Sequence, residues 1–379
     1  MTDAARGFAE RAATTVHVVF GPEATVIAAE PLKDWRRNRV ARLRLAGAPV
    51  PTVVAKQILA DDALGFTDWS SLEYIASAPN AAGVAPRFLG GDVAERIFLM
   101  EDLGGARSLD DALRESSRPA ALAALDALAR VTARLHAATL GDDERWFALR
   151  AARPGARPGR AVEADLWLDG AAPALGAWLA ALGARPPAGL GESLERVADA
   201  YARPGRWLAF THGDPAPTNN HLAPDGAVRL LDFEYGGPRH ALYDLTAWAV
   251  LCPLPRDAVA VVRDAYRAAS ATALPFDAAG WDDAPFDDAW AAMAAWRAVA
   301  MLGWIGPDAL TTDRPWVDAW TRREAALAAA DRLRDETAST LSLAPLTAAA
   351  DTIAGKMRER FPEYAGRETI PFWRALAAG

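Results

Sequence analysis

Residues 211–237 read THGDPAPTNNHLAPDGAVRLLDFEYGG. Strand-like residues precede both His212 and Asp232, so two short strands are expected to deliver the carboxylates Asp214 and Asp232 to one place, with the amide of Asn219 between them. A lone His-Gly-Asp is ordinary turn chemistry. The combination is more demanding: one carboxylate able to orient a hydroxyl and accept its proton, then an amide and a second carboxylate able to hold a small hard cation against phosphate. Phosphoryl transfer needs that set.

Upstream, from about Val16 to Leu59, short β-branched runs (VHVVF, TVIAA, RVARLRL, TVVAKQIL) are separated by Pro, Gly, Asp and Asn, which predicts an antiparallel meander. The segment SSLEYIAS places Leu72, Ile75 and Ala76 at helical spacing behind a Ser70-x-x-Glu73 capping signature. RFLGGD and RIFLMEDLGG supply two further strands, the second ending at Gly104-Gly105, read as a hinge. Beyond it Leu122, Leu125, Leu128, Val131 and Leu135 form the apolar stripe of a long helix. His136 on that stripe reads as a hydrogen-bonded core residue. Residues 150–165, rich in Arg, Pro and Gly, predict a surface loop within the helical part and no domain boundary. After about Tyr243 the pattern is helical to the end. The class expected is α+β, an N-terminal antiparallel sheet with one helix followed by a larger, mainly helical part.

THGDPAPTN and LLDFEYGG resemble the catalytic loop and metal-binding strand of the aminoglycoside phosphotransferases, choline kinases and related protein-kinase-like small-molecule kinases. NRVARLRL, VVAKQIL, APRFLGGD, FLMEDLGG and ARLHAAT extend the likeness along the chain. The resemblance implies a bilobal fold, with residues 1–103 as a nucleotide-binding lobe and residues 104–379 as a catalytic and substrate-binding lobe. It implies ATP and Mg2+ as cofactors, with Asp214 as catalytic base, Asn219 and Asp232 as magnesium ligands and His212 as a structural member of the loop. It implies that Asp244 braces that loop, and that adenine meets the main chain near Glu101 and Leu103, with Met100 lining the pocket. Lys56, in the middle of an apolar strand, needs an anionic partner on physical grounds alone. The resemblance gives it the nucleotide phosphates and the helix glutamate, for which Glu73 is the candidate; the capping box is the alternative role for Glu73. Relatives place small residues between the first two strands, whereas PLKDWRRN, residues 31–38, contains no glycine.

Composition narrows the function classes. The 379 residues carry a net charge of -8, which argues against a broad nucleic-acid surface. The single cysteine, Cys252, forbids an internal disulfide or a cysteine metal cluster. No apolar run long enough for a membrane span and no apolar leader core are present, so a cytoplasmic protein is expected. Only three of the 41 basic residues are lysines, Lys33, Lys56 and Lys356, a bias that a GC-rich genome explains.

The expected activity is transfer of the ATP γ-phosphate to a hydroxyl of a small molecule. The absence of a long activation segment or an Ala-Pro-Glu element after DFE speaks against a protein kinase. A catalytically silent nucleotide-binding protein is the alternative, and a two-metal hydrolase is disfavoured by five histidines without paired spacing. The acidic stretch Asp277, Asp282, Asp283, Asp287 and Asp288, followed by Trp290, Trp296, Trp304, Trp316 and Trp320, suits a cationic acceptor such as an amino sugar, aminoglycoside or amino alcohol. A solvated acidic face and aromatic core are the alternatives.

Overall fold

Alternation of apolar and polar residues in the first hundred positions is realised as a five-stranded sheet. In the computed structural model, residues 1–2, 61–62, 106, 156, 253, 274–282, 318–319, 365–372, 374–375 and 377–379 are not described, and the remainder are. The chain begins α1 (Asp3–Phe20), β1 (Thr25–Asp34), β2 (Asn38–Ala46), β3 (Thr52–Ile58), α2 (Ala63–Ser77), β4 (Phe88–Asp92) and β5 (Ile97–Glu101). The strand order is β1-β2-β3-β5-β4, antiparallel throughout. β3 is therefore central and almost wholly buried.

VHVVF, expected as a strand, is the end of α1. Phe8, Ala12 and Val16 recur every fourth residue and form one face, packed on Ala41, Leu43, Val53, Ala55 and Leu99. That burial outweighs the modest helix penalty of β-branched side chains. The period-two alternation of β3 puts Lys56 on the opposite face from Ala55. On the side of Lys56 stands an aromatic cluster in which Trp69 of α2 lies 5.5 Å from Phe98 and 6.3 Å from Phe88, ring centre to ring centre. α2 begins at Ala63, so Ser70 and Glu73 are interior helix positions and the capping box expected there does not exist.

The rest of the chain follows as α3 (Leu109–Glu115), α4 (Arg118–Ala138), α5 (Asp143–Ala151), α6 (Arg160–Ala181), α7 (Leu190–Ala202), β6 (Leu208–Thr211), β7 (Asn220–Leu222), β8 (Val228–Leu230), β9 (Gly237–His240), α8 (Leu242–Val250), α9 (Arg256–Ala273), α10 (Asp283–Ile305), β10 (Pro315–Val317), β11 (Trp320–Thr321), α11 (Arg322–Thr337) and α12 (Ala344–Arg360). The expected mixed α+β class, with an antiparallel N-terminal sheet and a mostly helical remainder, is what is found. Two compact units divide the residues: Met1–Leu109 with Asp142–Arg157 and His212–Gly237, and Asp110–Gly141 with Pro158–Thr211 and Pro238–Gly379.

In the first unit α5 and the segment after it lie along α2. Tyr74 donates to the Asp142 carbonyl at 2.6 Å, and the buried Arg150 donates to the Ala63 and Pro154 carbonyls. The Arg-rich stretch expected to be a surface loop is thus partly a packing element, with α6 starting already at Arg160. The chain also leaves the first unit between Arg157 and Pro158, within a stretch where no boundary was expected.

In the second unit the predicted stripe of α4 is buried at Leu125, Leu128, Val131 and Leu135, with Leu122 half-buried. His136 is the core residue expected, its Nδ1 2.9 Å from the Tyr266 hydroxyl and its Nε2 3.4 Å from Asp244. In α10, Trp290 and Trp296 are core. Trp290 donates to Glu336 at 2.8 Å, and Trp296 is stacked between Tyr201 and Trp167 at centre distances of 3.8 and 4.6 Å. Trp320 is buried and Trp304 exposed. Asp277 and Asp282, and the side chain of Asp283, lie outside the described residues. Asp287 is paired with Arg263, and Asp288 accepts from Thr340 at 3.0 Å. Among the described residues no helix is long and apolar enough to cross a membrane.

Glycine marks where packing is tightest. A Cβ at Gly91 would stand 2.5 Å from the Trp69 ring and 2.7 Å from the Ile97 carbonyl oxygen. Gly176, inside α6, has open space around it. Gly91→Ala should lower stability by about 1–3 kcal/mol through overpacking, whereas Gly176→Ala should raise it by up to about 1 kcal/mol through helix propensity. Denaturant unfolding of the two variants checks both signs.

Candidate active site

The site is assembled wholly within the first unit, around the single ammonium of β3. Lys56 is 4% exposed, and its Nζ lies 2.7 Å from Asp68 Oδ2 and 2.6 Å from Asp232 Oδ1. An unpaired ammonium on a central strand would be untenable; two carboxylates from α2 and from the segment after β8 make it stable. Asp68 does more than balance charge, because its Oδ1 accepts the Phe233 N–H at 2.7 Å. It therefore ties α2 to the backbone beside Asp232.

The acid on Lys56 is accordingly Asp68, and Glu73 is not its partner. Glu73 pairs with Arg153 at 2.6 Å, and that guanidinium also covers the Trp69 ring at 5.0 Å. Once α2 starts at Ala63, Asp68 is an interior position directed at β3, whereas Glu73, five residues on, is about 500° further round a helix of 3.6 residues per turn and points elsewhere. Burial drives the Asp68 carboxyl above the ordinary range, opposed by Lys56. For Asp232 burial acts in the same direction, but Lys56 and then Lys33 outweigh it and hold the carboxyl below its usual value. Burial would lower the Lys56 ammonium; Asp68 and Asp232 together raise it beyond its ordinary value, so it stays charged.

Asp232 adopts φ +65°, a left-handed conformation rare for a residue with a side chain. The neighbouring bonds over-determine it. Phe233 N–H is held by Asp68, Leu231 N–H by the Asn219 carbonyl at 2.9 Å, and the Leu231 carbonyl lies 2.7 Å from His212 Nε2. His212, buried at 1% exposure, rests on the Phe233 ring at 4.5 Å between centres. It acts as the structural pin of the loop. Gly213 sits at φ +85°, and a Cβ there would lie 2.1 Å from the Tyr235 carbonyl oxygen, so only glycine permits this approach of loop and strand.

Asp214 follows on a tight turn closed by Ala216 N–H to the Asp214 carbonyl, 2.8 Å, and Asn219 N–H to the Ala216 carbonyl, 2.9 Å. The Asn219 amide reaches back to the Asp214 carbonyl at 3.0 Å and to its Oδ2 at 3.3 Å. Asn220 has a different task. Its amide oxygen accepts the Leu109 N–H at 2.7 Å, and its nitrogen donates to the Pro217 carbonyl at 3.0 Å, bracing the loop from behind. Asn219, Asp214 and Asp232 are thus brought together, and the adjacent asparagine is committed to structure.

The linker after β5 is fixed by contacts that the sequence did not disclose. Arg42 of β2 grips Asp102 with two bonds of 2.7 and 3.1 Å, and Gly104 N–H donates to the same carboxylate at 3.0 Å. Burial tends to raise the Asp102 carboxyl, but those bonds hold it below the usual range. Glu101 N–H is bonded to the Arg87 carbonyl at 2.9 Å, and the Leu103 carbonyl meets His221 Nε2 at 3.1 Å. Two of the main-chain groups in the region expected to read adenine are therefore engaged within the protein. Met100 is half-buried and paired with Val54 and Phe88. Asp244 lies on α8 in the second unit, beside His136.

Among the described residues no group of three or more His, Cys, Asp or Glu side chains is arranged as a metal cage. Asn219 and Asp232 instead offer the two hard oxygens with which magnesium is content when phosphate and water complete its shell, so the residues present fit that ion. Asp232 and the start of α8 at Leu242 are joined by a short connection containing β9, with no long intervening segment.

The phosphotransferase enzyme family model matches residues 36–296, well over half of the chain. The chain belongs to that family. Among solved structures it is similar to a choline/ethanolamine kinase family protein from Mesorhizobium loti, at 19% identity and TM-score 0.50, covering 92% of this chain and 98% of that one. A protein described as an aminoglycoside phosphotransferase from Ralstonia eutropha gives 14% identity and TM-score 0.50, again with 92% and 98% covered. At such identities these two likenesses show the fold, that of the protein-kinase-like small-molecule kinases. No match is found among curated proteins.

The two acids of α2 make opposite predictions. Asp68→Ala leaves a buried ammonium half-compensated and should cost about 3 kcal/mol or more, while Glu73→Ala removes a half-buried pair and should cost at most about 1 kcal/mol. Urea titration of each variant measures the difference.

Proposed function

We propose that this phosphotransferase moves the γ-phosphate of ATP, bound with Mg2+, to a hydroxyl group of a small molecule. The observation that carries the reading is the convergence of Lys56, Asp214, Asn219 and Asp232, drawn from β3, from the loop after β6 and from the segment after β8, on one locus of the unit that holds the sheet. A retained but idle nucleotide-binding fold would have no need to keep all four.

In this reading Asp214 accepts a hydrogen bond from the attacking hydroxyl, aligns it and takes up its proton as the new bond forms. The hydroxyl oxygen becomes bonded to phosphorus as the bond from phosphorus to the nucleotide's bridging oxygen breaks, leaving ADP. Asn219 keeps the Asp214 side chain oriented and, with Asp232, would hold the magnesium ion. That ion, when bound, supplies charge compensation for the triphosphate. Lys56 turns its ammonium toward phosphate oxygens, while Asp68 retains it on the strand. The first unit supplies the nucleotide site.

An ammonium-bearing alcohol is the acceptor class first suggested by the acidic stretch. Of that stretch the two aspartates with described side chains, Asp287 and Asp288, are committed to Arg263 and Thr340, so they lend it no support. The proposed acceptor is therefore a hydroxylated metabolite without further restriction, to be found by a screen of ADP release.

Asp214→Asn should preserve folding and MgATP affinity and lower turnover by a factor on the order of a hundred or more, because proton acceptance and hydroxyl alignment are lost. Near wild-type turnover on the acceptor from the screen would refute the assignment. Asp232→Ala should weaken MgATP binding as well as turnover, read by calorimetry; unchanged affinity would move the metal to other ligands.

A further inference from the structure

Nucleotide phosphates are commonly cradled by backbone N–H groups of a glycine-rich turn, since glycine lets the chain come close. The corresponding connection here has been built differently. β1 and β2 stay paired as far as Asp34 and Arg39, so only Trp35, Arg36 and Arg37 form the tip, and the Trp35 N–H is spent on the Asn38 carbonyl at 2.9 Å. A register shift between Pro31 and Lys33 interrupts the ladder just before Lys33, the kind of bulge that re-aims a side chain. The Arg37 carbonyl is pinned by Leu59 N–H at 2.8 Å and Ala60 N–H at 3.2 Å, which fixes that end of the hairpin to the end of β3.

The result is two cations held over the acids of the site. Lys33 Nζ lies 3.7 Å from Asp232 Oδ2, the oxygen of that carboxylate that Lys56 leaves, and Arg37 lies 3.6 Å from Glu234. Both separations are at the long end for ion pairs, and Lys33 is half exposed, so its pair with Asp232 contributes little as a structural link. As counter-charges they are well placed, because a bound polyanion would find three cationic side chains, Lys33, Arg37 and Lys56, at one locus.

We propose that Lys33 and Arg37 form a side-chain phosphate clamp that replaces the glycine-rich cradle, exchanging Asp232 and Glu234 for the β- and γ-phosphate oxygens of the nucleotide. This rests on the kinase reading above. The lysine acts as a compact charge and the guanidinium as a fork able to hold two oxygens. The clamp binds what AMP lacks, so it discriminates nucleotides by the number of phosphates.

Calorimetric titration of wild type, Lys33→Ala, Arg37→Ala and Arg36→Ala with MgATP and with AMP tests it. Lys33→Ala and Arg37→Ala should each weaken MgATP binding about fivefold or more, with a shallower salt dependence, and leave AMP affinity within about twofold. Arg36→Ala, an exposed cation of the same turn, should match wild type for both ligands, and Lys33→Arg should restore most of the MgATP affinity. Unchanged MgATP affinity in both alanine variants overturns the clamp and leaves the kinase reading standing. An equal loss for AMP makes the two residues supports of the fold and also overturns it. A wild-type protein that binds no MgATP removes both the clamp and the kinase reading.

Discussion

A positive charge on a buried central strand is the constraint from which much of the first unit follows. Lys56 is stable at its position because carboxylates arrive from α2 and from the segment after β8, and each arrival fixes a piece of backbone. Asp68 brings α2 against the sheet and also holds Phe233, so the left-handed turn at Asp232 is kept in place by the helix that neutralises the lysine. His212 and Asn219 then fasten the loop that carries Asp214 to the same strand. Charge balance and loop geometry are one problem here, with one solution.

The polar residues around that centre divide into those committed to structure and those left with chemistry to do. Asn220, His212, Asp68 and Asp102 each satisfy backbone groups or a buried cation. Asp214 and Asp232 are only partly buried, and their carboxylates meet side-chain donors, Asn219 for one and Lys56 and Lys33 for the other, so a ligand can compete for them. The same division holds in the second unit, where Trp290 and Trp296 of α10 lie in the core: Glu336 accepts the Trp290 indole N–H, and the Trp296 carbonyl accepts that of Trp167.

Local chemistry was legible in the sequence where a short motif carries its own geometry. His212-Gly213-Asp214, Asn219 and Asp232 could be read because turn, amide and strand lie within one continuous stretch. The need of Lys56 for an anion was also legible, yet its helix partner was not, because identifying Asp68 requires knowing where α2 begins. Ser70-x-x-Glu73 imitated a helix start in the interior of α2, while Thr321-x-x-Glu324 at the start of α11 is a true capping box, with reciprocal bonds of 3.3 and 2.9 Å. The difference is tertiary: Ser70 is buried between elements that a local pattern does not reveal. VHVVF misled in the same way, since its β-branched residues belong to a helix face completed by Phe8 and Ala12.

The most direct test of the account is a crystal structure with a non-hydrolysable ATP analogue and manganese in place of magnesium, the metal located by its anomalous scattering. The account predicts a metal peak at Asn219 and Asp232, phosphate oxygens on Lys56, and the Asp214 carboxylate facing the terminal phosphate. Metal bound away from Asp232, or a nucleotide whose phosphates do not meet Lys56, would contradict it.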